Sequence, residues 1–466
     1  MDEKISISTG RAIQTKYEGS HKKLMAIAFC ALFGGLNFGL SIGYSSPSIP
    51  SMIKRGVLKK EDSGWFGSLL TIGALMGAPL GGWLLENLGR KKSLTCLSVP
   101  FSLGYIVISF ASNPVQCNLG RFLTGLGSGM VTCCVPMYIA EISTISMRGI
   151  LGSCVQLSIT IGIALAYILG SFLEWRSLSD FCIVPCILGG ILSLFIPETP
   201  RYLLMKNRKP EAIKALSRLR DPHTNVNEEC REIEESSGPE ESVSFSEMLK
   251  RRELFQPLIL VIAIMIFQQL SGINAVMFYT VSIFESAVGD FAYTATIIIG
   301  IVQIFATMAA VYLVDRAGRK KLLHVGGIVM SANLFLFGLY YKLAASNLLG
   351  ETMKIWMPVF CLTIYILGFS LGWGPVPMLI MSEMIPTRCK GTAGSMAIVA
   401  SWGSAFIVTS QFTAFQELMG QDNSFYIFGF FSMIAVWFVG RYIPETKGKS
   451  LEDIEMLFAG KATILV

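Results

Sequence analysis

Apolar residues in this chain fall in long continuous runs, separated by short polar turns, and not in the alternating or striped patterns of half-buried elements. The runs lie at 24–46, 64–85, 94–112, 118–140, 150–172, 181–196, 257–279, 295–314, 322–341, 355–381, 392–413 and 424–443. Most approach the roughly 20 residues an α-helix needs to cross the hydrocarbon core of a bilayer. The pattern predicts an all-α integral membrane protein with twelve transmembrane helices. One polar stretch rich in Glu, Lys and Arg is far longer than any other and separates spans 6 and 7. The expected organisation is a tail at 1–23, a six-helix half at 24–200, a linker with short helices at 201–252, a second six-helix half at 253–446, and a tail at 447–466.

The halves repeat each other. GRKK at 89–92 follows span 2, and GRKK at 318–321 follows span 8. Glu141 to Arg148 follows span 4 as Glu383 to Arg388 follows span 10. PETPR at 197–201 closes span 6, and PETKG at 444–448 closes span 12. Three matches in register, six spans apart, imply two parallel-related halves. That is an architecture of alternating-access transporters, with a substrate site between the halves near the bilayer midplane.

Composition agrees and adds an orientation. The chain is 52% hydrophobic and 15% charged with a mean hydropathy of +0.56, whereas soluble domains carry roughly a quarter charged residues. With the N-terminus inside, thirty of the 38 Lys and Arg fall on cytoplasmic segments. The other eight, counting Arg121 at the start of span 4, fall outside. Retention of Lys and Arg in short cytoplasmic loops then predicts that both termini are cytoplasmic. Residues 1–23 are polar and the first apolar run is long enough to span, so no cleavable signal is expected.

The eleven cysteines lie mostly within apolar runs, where they act as small hydrophobes. Neither Cys133–Cys134 nor Cys182–Cys186 has the His or acidic company of a zinc site. No metal, no cofactor and no enzymatic activity are expected. The glycines at 125, 127 and 129 sit inside an apolar helix and read as close helix packing, not as a nucleotide loop.

These motifs name a family. GWLLENLGRK at 82–91, Gly120-Arg121 with Gly125, Gly127 and Gly129, PMYIAE at 136–141, QQLSGIN at 268–274, GWGPVP at 372–377 and PETKGKSLE at 444–452 together resemble the sugar porters of the major facilitator superfamily. The resemblance is to the facilitative glucose-transporter branch and covers nearly the whole chain. Tyr44-Ser45-Ser46-Pro47 and Gly372-Trp373 are similar to the subgroup that includes insect facilitated trehalose transporters.

Sugar hydroxyls both donate and accept hydrogen bonds, and side-chain amides have both capacities. Gln156, Gln268, Gln269 and Asn274 lie inside apolar spans of opposite halves, where an unpaired amide is costly. One such amide alone reads equally well as a link between helices; four in two helices point to substrate. The resemblance implies these four as sugar ligands, Gln303 as a fifth, Phe369 and Trp402 as aromatic walls, and Ile159 and Ile163 as residues shaping the pocket. Met378 and Ser401 stand where many members have Trp and Asn, which implies a less polar wall. Phe278 and Tyr279 are implied to close over the sugar. Pro375 and Pro377 with Gly372 and Gly374 break span 10 and read as a hinge.

The resemblance further implies a cytoplasmic latch, formed when the inner ends close. Arg90, Lys91, Glu141, Arg148 and Glu198 would serve it in one half, and Arg319, Glu383, Arg388 and Glu445 in the other. Glu86 and Asn87 depart from the usual Asp and Arg, so the first-half latch is expected to be weaker.

No span carries Asp or Glu in its central part, and proton coupling needs a titratable group in the path. Proton-coupled relatives carry Asp in span 1, where this chain has Ser41 with Asn37 nearby. His21, His223 and His324 lie at membrane edges or in the cytoplasm. The expected function is facilitated diffusion of a sugar, a hexose such as glucose or the disaccharide trehalose. The alternatives are a proton-coupled sugar symporter and a non-transporting sugar sensor, the latter disfavoured by short tails. The expected partners are the sugar and the lipid bilayer, with no nucleic acid and no obligatory protein. The N-terminal tail lacks the Leu-Leu pair that retrieves relatives to vesicles, so the plasma membrane is expected, an internal vesicle membrane being the alternative.

Overall fold

A computed structural model describes residues 21–144, 147–221, 224–236, 245–386, 389–449 and 451–458. Among them the secondary structure is helical, with no strand. The first half comprises α1 (Lys22–Lys54), α2 (Ser63–Leu88), α3 (Arg90–Ser109), α4 (Pro114–Ile142), α5 (Arg148–Gly170) and α6 (Trp175–Phe195). Four short helices follow: α7 (Pro200–Met205), α8 (Lys209–Leu219), α9 (Val226–Ser236) and α10 (Phe245–Lys250). The second half comprises α11 (Arg252–Leu270), α12 (Ile273–Val288), α13 (Ala292–Ala317), α14 (Arg319–Ala345), α15 (Glu351–Gly368), α16 (Val376–Met384), α17 (Lys390–Met419) and α18 (Gln421–Tyr442), and α19 (Leu451–Phe458) ends the described chain.

Eleven apolar stretches are long enough to cross a membrane, and the 61-residue one, Leu254–Val314, holds two crossings. The first is α11 with α12, which run to a turn at 289–291; the second is α13, which returns. The twelve expected crossings are therefore present. We call the side carrying α7–α10 the linker face and the other the opposite face.

Two spans are broken in their middles, and sequence chemistry explains both. Gly272, in a left-handed conformation with φ 83°, separates α11 from α12, a conformation that side chains resist. Between α15 and α16 the backbone forms a π-helical turn, Phe369–Trp373, closed by Gly374 N–H donating to Phe369 O at 2.7 Å. Pro375 and Pro377 prevent ordinary helical bonding there.

Small residues set the packing within each half. The α2–α4 seam is tight enough that a methyl group at Gly125 would lie 2.2 Å from Leu70 O. Across the α1–α5 seam, a methyl at Gly39 would lie 1.9 Å from Ile159 O. In the second half α14 packs on α18 and α11 on α17. The halves meet through α2 with α17, α5 with α13, and α1 with α12.

Arg121 lies among the helices of the first half. Counted above among the outer cations, it is wholly buried in α4. Its guanidinium donates to Ser41 O at 2.9 Å and to Ser45 Oγ, and stands 5.2 Å from the Phe66 ring centre. Hydrogen bonds to carbonyls and an aromatic face, not a carboxylate, compensate this charge.

Candidate functional site

The amide cluster centres on the break between α11 and α12. Asn274 Nδ2 donates to Gln269 Oε1 at 2.6 Å, and Gln269 Nε2 donates to Ser401 Oγ of α17 at 3.0 Å. The αL turn at Gly272 brings Asn274 back beside Gln269, five residues earlier. Ser401, at a position where many family members carry Asn, extends this network as an acceptor. Trp402, next in α17, is buried and faces Phe38 of the first half, ring centres 6.0 Å apart.

Gln268 joins the cluster to the second break: its Oε1 accepts from Gln269 Nε2 at 3.4 Å. Its Nε2 donates to Trp373 O and, at 3.4 Å, to Gly374 O, on the π-turn. In a regular helix the Trp373 carbonyl would accept from the N–H of residue 377, but Pro377 has none. Gln268 supplies the missing donor. In return, Tyr365 Oη of α15 donates to Ser271 O at 3.0 Å, beside the other break. The two broken helices thus cap each other. Gln268 thus braces the break through its amide nitrogen while its amide oxygen stays in the cluster with Gln269.

Gln156 is half-buried in α5, and its side-chain amide makes no hydrogen bond among the described residues. Gln303 in α13 is buried with Oε1 unpartnered, and Thr307 Oγ1, one turn on, is unpartnered too. The helix bearing them packs against the π-turn, where Ser370 Oγ is likewise buried and unpartnered. Buried polar atoms normally find partners, so this group has unused hydrogen-bonding capacity. Phe369 opens the π-turn and is half-buried. Ile163 is buried and Ile159 half-buried; the backbone of both lies against Gly39 and Gly43 of α1.

Toward the opposite face the halves are joined. Tyr279, where α12 kinks, is 3% exposed, and its hydroxyl donates to Ser63 O at 3.1 Å across the interface. Its ring packs tilted against Phe412, ring centres 5.4 Å apart. This burial excludes an interfacial lipid-belt position for the pair, since Phe278 is fully buried as well. Val281 N–H donates to Ser46 Oγ at 3.0 Å and Tyr167 Oη to Met277 O at 2.9 Å. Lys60 and Glu417 approach to 3.8 Å. These links between the halves all lie at the same end, so the protein is closed toward the opposite face.

On the linker face each half has its own ion cluster. Arg90 pairs with Glu141 at 2.8 Å, Thr199 Oγ1 donates to Glu141, and Glu198 accepts from the backbone N–H of Arg90, Lys91 and Thr199. In the second half Arg319 pairs with Glu383 at 2.9 Å, Thr446 Oγ1 donates to Glu383 at 2.6 Å, and Glu445 accepts from Arg319 and Lys320 N–H. Gly89 and Gly318, both at φ 90°, make these turns possible, and a methyl at either would strike Glu198 or Glu445. Burial pushes the Glu198 carboxyl above its ordinary range, against the pull of its backbone donors. Arg90–Glu141 and Arg319–Glu383 close within their own halves, while the opposite face is shut. Each pair therefore braces helix ends of one half and does not itself bridge the two halves. Arg148 is exposed and makes no ion pair among the described residues. Lys91 contributes its backbone N–H, not its charge. Arg388 and His223 lie outside the described residues.

The chain matches the family described as Sugar (and other) transporter over residues 27–458. It belongs to that family. A facilitated glucose transporter, solute carrier family 2 member 8 of Mus musculus, is 39% identical over 94% of this chain and 95% of its own. The facilitated trehalose transporter Tret1 of Bombyx mori is 37% identical over 95% of this chain and 89% of its own. The inward-open conformation of the xylose transporter XylE from E. coli superposes with a TM-score of 0.77 at 25% identity, covering 93% and 99% of the two chains. The structure of the proton:xylose symporter XylE bound to 6-bromo-6-deoxy-D-glucose superposes with a TM-score of 0.76. This member of the sugar transporter family is a multi-pass membrane transporter and not an enzyme.

Sequence reasoning missed several residues. Thr199 and Thr446 follow the repeated Pro-Glu and could have been read from that repeat. Phe38 and Thr307 carry no local signal. Both are ordinary residues of apolar helices until the partner helix is in place.

Proposed function

We propose that this protein is a facilitative sugar transporter, carrying a hexose such as glucose or the disaccharide trehalose by alternating access. Its linker face would be cytoplasmic and its home the plasma membrane. The carrying observation is the Asn274–Gln269–Ser401 amide–hydroxyl chain at a broken helix, with the free amide of Gln156 and the unpartnered Gln303 as further neutral donors and acceptors. Neutral groups of mixed capacity suit sugar hydroxyls. Phe369 and Trp402 supply apolar faces, Phe278 and Tyr279 the gate, and the break with Gly374, Pro375 and Pro377 the hinge. The excess of Lys and Arg on the linker-face segments supports the orientation. The braced corners around Glu141 and Glu383 would bias the two states by holding the helix ends that must move together.

Proton coupling is the second reading, favoured by the likeness to a proton:xylose symporter. Against it, the polar partners of the buried Arg121 are Ser41, Ser45 and Phe66 backbone or hydroxyl oxygens. None of these titrates near neutral pH. Counterflow of labelled glucose and labelled trehalose in liposomes, each with and without a proton gradient, tests both readings. Counterflow without concentrative uptake is expected, and it identifies the sugar. Gradient-driven accumulation overturns uniport, and no movement of either sugar by folded protein overturns the substrate assignment.

A further inference from the structure

A groove of about 530 Å³ opens on the linker face, between the α2–α3 turn, the 197–198 segment and helices α7 and α8. Its walls carry five cations, Lys91, Lys92, Arg208, Lys214 and Arg218, against two carboxylates, Glu198 and Glu211. The carboxylates are already engaged. Glu198 accepts from three backbone N–H groups, and Glu211 holds Arg208 through two bonds of 2.7 and 2.6 Å. Arg218 donates to Phe195 O, at the end of α6. The ammonium groups of Lys91, Lys92 and Lys214 have no partner among the described residues.

The repeated half provides an internal comparison. Lys320, the counterpart of Lys91 in the second GRKK, donates from Nζ to Gly440 O at 2.9 Å, at the end of α18. There the lysine caps the last turn of the neighbouring helix. In the first half the linker arginine Arg218 does that work on α6, and Lys91 is released into the groove. The same motif is thus put to two uses, and the difference follows from the presence of α8.

We propose that this groove binds a phosphomonoester, through Lys91, Lys92 and Lys214, at a site separate from the sugar path. A compact dianion matches three free ammonium groups in a half-enclosed cleft, where charge-assisted hydrogen bonds are strong. A sugar or other neutral ligand would gain no charge-assisted bond from them. The groove opens beside the ends of α2, α3 and α6, so the phosphate can come from a soluble metabolite or from a lipid headgroup. Bound there, it ties the α2–α3 turn to linker helix α8.

The two sources can be separated with one headgroup. The full chain in uncharged detergent is titrated with glycerol 3-phosphate by calorimetry, and the same chain in nanodiscs is compared with and without phosphatidic acid by thermal unfolding. The variant K92Q/K214Q alters two exposed, unpartnered lysines and keeps the fold; K92R/K214R retains the charge. Lys321→Gln, an exposed lysine of the second GRKK, is the control for bulk charge. Saturable binding of glycerol 3-phosphate, weakened about tenfold or more in K92Q/K214Q and kept in the arginine variant and in K321Q, supports a soluble ligand. Stabilisation by phosphatidic acid alone, with the same variant pattern, supports a lipid. Absence of both effects, or equal losses in K321Q and K92Q/K214Q, overturns the site.

Discussion

Gln268 shows how a single residue's role turns on one missing proton. Pro377 has no N–H, so the carbonyl of Trp373 would be an unpaired acceptor inside a membrane helix if Gln268 did not reach it. Replacing Gln268 with Leu should destabilise the protein by about 1–3 kcal/mol, the cost of an unsatisfied buried polar group, read as a lower unfolding midpoint. The double variant Q268L/P377A should recover part of the loss, because an alanine at 377 restores the backbone donor. Failure of the second change to help would mean that Gln268 acts otherwise. Gln269 has a different duty, since its amide faces Asn274 and Ser401. Gln269→Ala should lower sugar uptake by about tenfold, two hydrogen bonds' worth, with insertion into the membrane unchanged. Normal uptake would remove Gln269 from the site.

At the scale of elements, glycine governs how near two helices can come. Gly39→Ala would press a methyl into the Ile159 carbonyl, on a seam whose atoms are backbone and cannot swing aside. Gly82, in the same half, has open space around it. Gly39→Ala should therefore sharply reduce the yield of folded monomer on size-exclusion chromatography, while Gly82→Ala leaves it nearly unchanged. Tyr279 acts between elements too. Tyr279→Phe removes the bond to Ser63 across the halves, and should loosen the opposite-face closure. Spin labels at positions 60 and 417 should then show a longer and broader distance distribution; an unaltered one would show that ring packing on Phe412 suffices for closure.

For the whole molecule, the repeated corners invite a comparison between halves. Arg90→Ala leaves Glu141, whose side chain is 7% exposed, as a buried charge without its partner. Arg319→Ala does the same to Glu383, which is 22% exposed. Losing one member of a buried pair costs about 3–5 kcal/mol, and solvent reduces that cost where it reaches. Arg90→Ala should therefore lower the unfolding midpoint more than Arg319→Ala. Equal effects would show that neighbouring groups, not exposure, set the cost. The order follows from burial, since the first-half pair is the more deeply buried one.

How much of this was legible beforehand differs by level for a physical reason. A bilayer demands about 20 apolar residues per crossing, so the twelve spans stand out as runs. Duplicated halves repeat their turns, so GRKK and PET locate the corners, and intramembrane amides mark themselves by their cost. Partner choice is another matter. That Arg121 is buried, that Ser401 accepts from Gln269, that Gln268 caps a break 105 residues away, and that Lys91 is free where Lys320 is bound all depend on which helix lies alongside. The sequence by itself determined the solvent, the number of crossings, the pseudo-symmetry and the chemical types available for a sugar site. Only the tertiary structure decided which amides face each other and which helix break is capped by which side chain. It also decided which face is closed, because hydrogen-bond partners and closure are set by distances between helices far apart in the chain.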